Sequence, residues 1–209
     1  MIIQGSPEWH QLRVGKVTAS RVADVVAKTK TGWGASRANY AAELIAERLS
    51  GAPAPSFTND AMRWGIEQEC NARSFYCQTL GVEVVETAFV DHPEIPMSGA
   101  SPDGLVGDDG LIEIKCPNTA THLDTLLNGS LADKYFLQMQ WQMACTGRRW
   151  CDFVSFDPRL PEEMRMYRAR VDRDVSVIVT LESAVSEFLS EIDAKVAHLR
   201  ARYARKEAA

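Results

Sequence analysis

Asp103, Glu113 and Lys115 are the residues whose types and spacing best fit a catalytic site. Asp103 follows a proline, and nine residues separate it from the string Glu113-Ile114-Lys115. Alternate residues of a β-strand share a face, so Glu113 and Lys115 are expected to point the same way. A short hairpin would fold Asp103 back beside Glu113. Carboxylate oxygens suit Mg²⁺, and the lysine could neutralise charge that builds on a phosphate.

Each half of this pattern also has a simpler interpretation. A glutamate and a lysine two residues apart on a strand commonly form a solvated face, and Asp-Gly is commonly a turn. The whole string from Pro102 to Lys115 is rarer, and it matches the nuclease signature written PD-(D/E)xK. This string alone allows two interpretations, which are a metal site for phosphate-ester hydrolysis and a solvated strand face.

The elements that must position these residues follow from periodicity and from punctuation by glycine and proline. Helices are predicted over residues 7–13, 19–27, 36–49, 59–80, 121–127, 131–146 and 174–204. Strands are predicted over residues 82–90, 97–100, 104–106, 111–115, 150–156 and 164–171, with a loop over 29–35. Ser6 and Ser36 are expected to cap the first and third of these helices. The order predicts an α/β domain with a central mixed β-sheet flanked by helices.

Composition limits the class of protein. The chain has 209 residues with 45% hydrophobic and 24% charged residues, which predicts one globular domain. We expect no membrane span and no secretory signal, because no apolar run approaches about 18 residues and no basic segment precedes one. Five cysteines without a CxxC pair indicate core residues in a reducing cytoplasm.

The charge distribution is uneven although the net charge is only −5. Residues 13–37 carry six basic residues and one acid, and residues 58–113 carry eleven acids and two arginines. This pattern suggests an anion-binding face beside a carboxylate-rich site. A mixed solvated surface would give the same composition.

Several motifs, taken in order, resemble the lambda-exonuclease family, also called YqaJ-type viral recombinases or alkaline exonucleases, within the PD-(D/E)xK nuclease superfamily. The motifs are WHQLRVGKVTAS from Trp9, WGIEQECNAR from Trp64, SPDGL from Ser101, EIKCP from Glu113 and YFLQMQ from Tyr135. A weaker match continues through FDPR at residues 156–159. The resemblance implies a restriction-endonuclease-like core. It divides a single nuclease domain, residues 1–209, into a basic N-terminal helical segment (residues 1–50), a catalytic core of about 58–171 and a C-terminal helix of about 174–204.

The resemblance also implies site residues. The implied metal ligands are Glu69, Asp103, Glu113 and the backbone carbonyl of Ile114, with Lys115 as catalytic lysine and Gln138 as a helix glutamine that orients water or substrate. Glu67 is an alternative to Glu69. Gln140 is an alternative to Gln138, while Gln142 shares the helical face of Gln138.

A second implied set holds the DNA end. Arg13, Thr18, Ser20 and Ser101 match the positions that bind a 5′-phosphate, and Met62 matches an apolar wedge at the last base pair. Thr18 and Ser20 could instead cap a helix, Arg13 could pair with Glu8, and Met62 could belong to the core.

By this resemblance the protein is a Mg²⁺-dependent 5′→3′ exonuclease that uses two ions, with Mn²⁺ as a substitute. It would digest one strand of linear double-stranded DNA from a 5′-phosphorylated end, leaving 5′-mononucleotides and a 3′ single-stranded tail. Family membership implies a ring-shaped homotrimer that works in the cytoplasm with a single-strand annealing protein. No association with a membrane is expected. An endonuclease on the same core and a non-catalytic DNA-binding recombination mediator are the alternatives. A Cas4-like iron–sulfur nuclease is excluded by the cysteine spacing.

Overall fold

The computed structural model describes residues 2–30, 32–55 and 59–204. Its helices are α1 Pro7–Arg13, α2 Val22–Val25, α3 Ala35–Ser50, α4 Asp60–Leu80, α5 Thr119–Asn128, α6 Asp133–Thr146 and α7 Val175–Tyr203. Its strands are β1 Val17–Thr18, β2 Lys28–Thr29, β3 Gly32–Trp33, β4 Val84–Val85, β5 Val90–Asp91, β6 Ser98–Ala100, β7 Gly104–Val106, β8 Gly110–Lys115, β9 Trp150–Phe156 and β10 Met166–Asp172. Single turns of 3₁₀ helix span Ala19–Arg21 and Glu162–Met164.

A five-stranded sheet in the order β10-β9-β8-β7-β4 forms the centre of the fold. Strands β8 and β9 pair in parallel and the other neighbours pair antiparallel, so the sheet is mixed. Helix α4 packs on one face through residues such as Tyr76, and α6 packs on the other through Met139 and Met143. This arrangement confirms the predicted α/β class with a mixed sheet between helices.

A second core joins the N-terminal helices to α7. The predicted apolar stripe of α7, which includes Leu181, Val185, Phe188 and Ile192, is buried against α2, α3 and α6. Among the residues that the structure describes, no helix is both long and apolar enough to cross a membrane. The division of the chain into three regions stays a prediction, and the start of the catalytic core near residue 58 lies outside the described residues.

Three local predictions are wrong. Residues 82–90 form two strands in different sheets, because Val84 pairs with Val106 while Val90 pairs with Ala100. The segment predicted as a loop, residues 29–35, contributes to two antiparallel strands, because Thr29 of β2 pairs with Gly32 of β3. Gly34, rather than Ser36, is the N-cap residue of α3. Local apolar patterning indicates an extended segment or a helix start, but the partner strand and the incoming chain direction decide its limits.

Candidate active site

The hairpin of β7 and β8 positions Asp103. Gly104 pairs with Ile112, and β7 begins there, so the ladder ends before Ile114. The side chain of Asp103 replaces the missing backbone acceptor of the ladder, because its Oδ2 accepts a hydrogen bond from the N–H of Ile114 at 2.6 Å. Gly104 is required by close approach, because a Cβ at that position would lie 2.2 Å from Cγ1 of Val84. The predicted convergence of Asp103 with the end of β8 is therefore present in the fold.

Glu113 is completely buried on the face of β8 that packs against α6. Its Oε1 accepts hydrogen bonds from Nζ of Lys115 and, at 2.7 Å, from Nε2 of Gln138. Its Oε2 accepts a 2.5 Å hydrogen bond from Nε2 of Gln142. Both oxygens are thus satisfied, as a buried carboxylate requires.

Three glutamines alternate along α6, and the fold separates their roles. Gln138 and Gln142 lie one helical turn apart and both reach Glu113. Gln140 lies elsewhere: its amide donates to the carbonyl of Asp172 at 2.9 Å and accepts from the N–H of Asp174 at 2.9 Å. Gln140 therefore joins α6 to the turn before α7. Sequence reasoning assigned no role to Gln142, although its i+4 spacing from Gln138 was the signal for one.

Glu69, on α4, lies near enough to Glu113 for their charges to interact. Burial raises its pKa, and the neighbouring charge of Glu113 raises it further, while Arg73 lowers it. Glu69 Oε1 accepts a 2.6 Å hydrogen bond from Arg73, which also pairs with Glu86. Glu67 is exposed on another side of the helix. Of the two glutamates weighed from the sequence, the structure places Glu69 beside the strand carboxylates.

The site brings carboxyl groups close enough together to shift one another's pKa. Burial raises the pKa of Asp103 well above its usual range, and Glu113 raises it further, with Lys115 opposing. Burial also disfavours the charged form of Lys115, but Glu113 and Asp103 outweigh burial and raise its pKa. The lysine therefore stays charged, and it partly offsets carboxylates that repel one another.

The donor set fits Mg²⁺ in its chemistry. Within residues 2–30, 32–55 and 59–204, no three His, Cys, Asp or Glu side chains are gathered closely enough to hold one ion. Asp103, Glu113 and Glu69 instead bond to protein donors. Mg²⁺ is commonly held by one or two carboxylates together with waters and substrate phosphate. Asp103 and Glu113 match that requirement, and the carbonyl of Ile114 stays a prediction as a further ligand.

A cavity of about 780 Å³ lies between α1, α3 and the start of α4. Four of the five residues predicted to hold a DNA end line it: Arg13, Thr18, Ser20 and Met62. The hydroxyl oxygens of Thr18 and Ser20 lie 3.4 Å apart, and neither side chain caps the short helices that follow. The capping interpretation is therefore wrong for Ser20, whereas Thr18 occupies the N-cap position of the 3₁₀ turn without a side-chain capping bond.

The guanidinium of Arg13 is available to an anion. It lies 3.9 Å above the ring of Trp9 and, among the described residues, has neither a hydrogen bond nor an ion pair. Lys16 and Arg21 line the same cavity, but both form ion pairs. Lys16 pairs with Asp91 at 2.6 Å, and Arg21 pairs with Asp24 and Glu43. The predicted alternative, a pair between Arg13 and Glu8, is not formed.

Of the remaining predicted residues, Met62 lines this cavity and Ser101 does not. Met62 lies in the first turn of α4 with about half of its surface exposed (51%), so its interpretation as a core residue is wrong. Ser101 stands outside the cavity lining but is two residues before Asp103. Its Oγ accepts the indole N–H of Trp9 at 3.0 Å, which connects it to Arg13 through one side chain. The cavity and the acidic group are thus joined.

Carboxyl groups around a charged lysine, and a cavity whose Arg13 has no hydrogen bond or ion pair among the described residues, define the candidate site of this α/β protein. Residues 8–149 match the family model of the YqaJ-like viral recombinase domain. The chain therefore belongs to the YqaJ-like viral recombinase family. No curated protein matches the chain.

Solved structures agree with this assignment. The alkaline exonuclease LHK-Exo from Laribacter hongkongensis is 51% identical, with a TM-score of 0.90 over 95% of this chain and 98% of that chain. A crystal structure of LHK-Exo in complex with dAMP matches equally well, with the same identity, coverage and TM-score. A phage-related exonuclease from Haemophilus somnus 129PT is 19% identical, with a TM-score of 0.73 over 88% of this chain and 96% of that chain, and shares the fold.

Proposed function

We propose that this protein is a Mg²⁺-dependent 5′→3′ exonuclease that digests one strand of linear double-stranded DNA from a 5′-phosphorylated end. The products would be 5′-mononucleotides and a 3′ single-stranded tail for recombination by strand annealing. The observation that carries the proposal is the group Asp103, Glu113 and Lys115, linked through Ser101 and Trp9 to a cavity whose Arg13 has no hydrogen bond or ion pair among the described residues. The similarity to the alkaline exonuclease LHK-Exo supports it.

The chain's own residues divide the chemistry. Asp103, Glu113, Glu69 and the carbonyl of Ile114 would hold two Mg²⁺ ions, which supply Lewis-acid activation of the water and of the scissile phosphate. Lys115, kept charged by its neighbours, stabilises the negative charge that develops on the phosphate. Gln138 orients Glu113 and the water or substrate next to it.

The 5′→3′ direction rests on the cavity. Arg13 offers guanidinium donors, and the hydroxyls of Thr18, Ser20 and Ser101 offer further ones, a combination that suits a terminal phosphate. Met62 projects at the cavity edge, where an apolar side chain can separate the last base pair. The relative LHK-Exo has been solved with dAMP, a mononucleotide of the kind this reaction would release.

Assembly and location are also included in the proposal. Family membership supports a ring-shaped homotrimer that encloses DNA, cooperation with a single-strand annealing protein, and action in the cytoplasm. Sedimentation and co-purification with the annealing protein of the same source would test these points. A monomer at micromolar concentration with full processivity would contradict the ring.

One assay tests the activity. Linear duplexes labelled at one end, with either 5′-phosphate or 5′-hydroxyl, are incubated with Mg²⁺ beside covalently closed circles. We expect 5′-mononucleotides from the linear duplexes, faster digestion of the 5′-phosphorylated one, and no cutting of circles. Rapid cutting of circles would favour an endonuclease. DNA binding without hydrolysis in any divalent metal would favour the recombination mediator.

A further inference from the structure

Trp9 contacts two residues of the proposed DNA-end site, one through the face of its ring and one through its indole N–H. The guanidinium of Arg13 lies 3.9 Å above its ring, and its indole N–H donates to Oγ of Ser101 at 3.0 Å. Arg13 is on the same helix one turn away, whereas Ser101 is 92 residues distant in the sequence. One aromatic side chain therefore joins α1 to the loop that carries Asp103.

The two contacts leave both partners free to donate. A serine hydroxyl has one donor and two acceptor sites. Because the Ser101 oxygen accepts from the indole, its own hydrogen remains available to another acceptor. The guanidinium carbon of Arg13 lies over the ring, and its N–H groups form no hydrogen bond among the described residues, so they can reach a ligand. Neither contact consumes a donor that a phosphate would need.

A second tether holds the same segment through backbone carbonyls instead of through Arg13 or Ser101. The side-chain amide of Gln4 donates to the carbonyl of Pro102 at 2.8 Å and to the carbonyl of Thr87 at 2.9 Å. Loss of Gln4 would loosen the segment before α1, while Arg13 would keep its aromatic support. Substitution of Gln4 is therefore a control. It tests attachment of the segment before α1 separately from the alignment of the Arg13 and Ser101 donors.

We propose that Trp9 is a positioning residue that aligns the Arg13 guanidinium and the Ser101 hydroxyl on one terminal 5′-phosphate. This inference rests on the proposed function, because it requires that the enzyme recognise a 5′-phosphorylated end. Trp9 itself does not need to contact DNA. Its two contacts set the placement of the end phosphate relative to Asp103, two residues beyond Ser101.

The test measures the ratio of digestion rates for 5′-phosphorylated and 5′-hydroxyl duplex. Trp9→Phe keeps a smaller aromatic ring under Arg13 and removes the hydrogen bond to Ser101, so the ratio should fall about two- to tenfold, as for one lost hydrogen bond. In a Ser101→Ala background, Trp9→Phe should change nothing further, because residues that act through one contact are not additive. Trp9→Leu should lower the ratio more, since Arg13 also loses its support.

The controls decide the interpretation. Gln4→Ala should leave the ratio unchanged, and the rate on 5′-hydroxyl duplex should stay within about twofold of wild type in Trp9→Phe, because only one neutral hydrogen bond is removed. An unchanged ratio in Trp9→Phe, or equal losses in Trp9→Phe and Gln4→Ala, would overturn the inference. So would independent, additive losses in the double variant. A wild-type ratio of one would instead reject the proposed end recognition and the inference with it.

Discussion

The side-chain amide of Gln142 lies 2.5 Å from Oε2 of Glu113, and both residues are fully buried. Gln138 holds the other oxygen of the same carboxylate at 2.7 Å. Two amides from one helix face thus hold both oxygens of this buried carboxylate and fix its orientation. The Gln142 amide oxygen in turn faces the thiol of Cys151, 3.9 Å away on β9.

This relationship separates three glutamines by experiment. Gln138→Ala and Gln142→Ala each leave Glu113 short of a donor, so we expect the nuclease rate to fall about tenfold or more, the effect of one lost bond to a charged group. Gln140→Ala should lower the melting temperature, because it breaks the link to residues 172–174, yet keep the rate of the folded enzyme. Single-turnover rates and thermal melts distinguish the two patterns. A larger rate loss in Gln140→Ala than in Gln142→Ala would contradict the assignment.

Lys115 should be required for the chemical step rather than for folding. Lys115→Ala should fold and bind DNA but lose about 10²-fold or more in rate, as when a group that stabilises the transition state is removed. Lys134→Ala is a matched control, since both ammonium groups lie near the ring of Tyr135, Lys115 at 5.2 Å and Lys134 at 4.8 Å. Near wild-type cleavage by Lys115→Ala would contradict a catalytic role for the Glu113-Ile114-Lys115 motif.

We expect metal dependence, because the carboxylates of Asp103 and Glu113 repel one another and a divalent ion would neutralise them. We expect activity to vanish in EDTA and to return with Mg²⁺ or Mn²⁺, while Ca²⁺ binds without supporting turnover. Because a ligand that binds only the folded state stabilises it, Mg²⁺ should also raise the melting temperature. Asp103→Ala and Glu113→Ala should abolish both effects. Full activity in a metal-stripped sample would refute the proposed site.

Arg13 should govern the preference for 5′-phosphorylated ends. Arg13→Ala should erase most of the rate difference between 5′-phosphate and 5′-hydroxyl duplex, because no other arginine or lysine lining the cavity in the described structure lacks an ion pair. The wild-type difference should shrink as salt rises, since exposed phosphate contacts are screened. The rate on 5′-hydroxyl duplex serves as the control, because the metal site is untouched. An unchanged preference in Arg13→Ala would contradict this role.

Asp157 gives a prediction about pH and stability. Burial alone would raise its pKa, but hydrogen bonds from Arg159 and Thr119 outweigh burial and lower the pKa to about 2. A folded-state pKa below the unfolded value means that this stabilisation is present above about pH 4 and is lost as pH falls towards 2. Asp157→Asn should cost about 2 kcal/mol of unfolding free energy at neutral pH. The difference from wild type should narrow in denaturant melts near pH 3, and a gap that is constant with pH would rule out the ionic origin.

The sequence by itself determines what is local. The hairpin that brings Asp103 to Glu113 spans few residues, and its turn is set by Gly107 with a φ of 52°, so the spacing alone predicts the convergence. Helix ends are equally local: Asn59 caps α4 with its side chain, and Gly81 ends it in the left-handed region. Helix capping and chain reversal depend on residues that are within a few positions of one another, so the sequence is sufficient to predict them.

Only the tertiary structure decides which faces meet. Helical periodicity puts Gln138 and Gln142 on one face and Gln140 on another, but it does not say which face meets Glu113. The same holds for Glu69 against Glu67, and for Val84 and Val90, whose partners lie in different sheets. Trp9 and Ser101 meet across 92 residues. A periodic pattern orients a side chain relative to its own element, whereas the partner depends on how the elements pack together to bury their apolar faces.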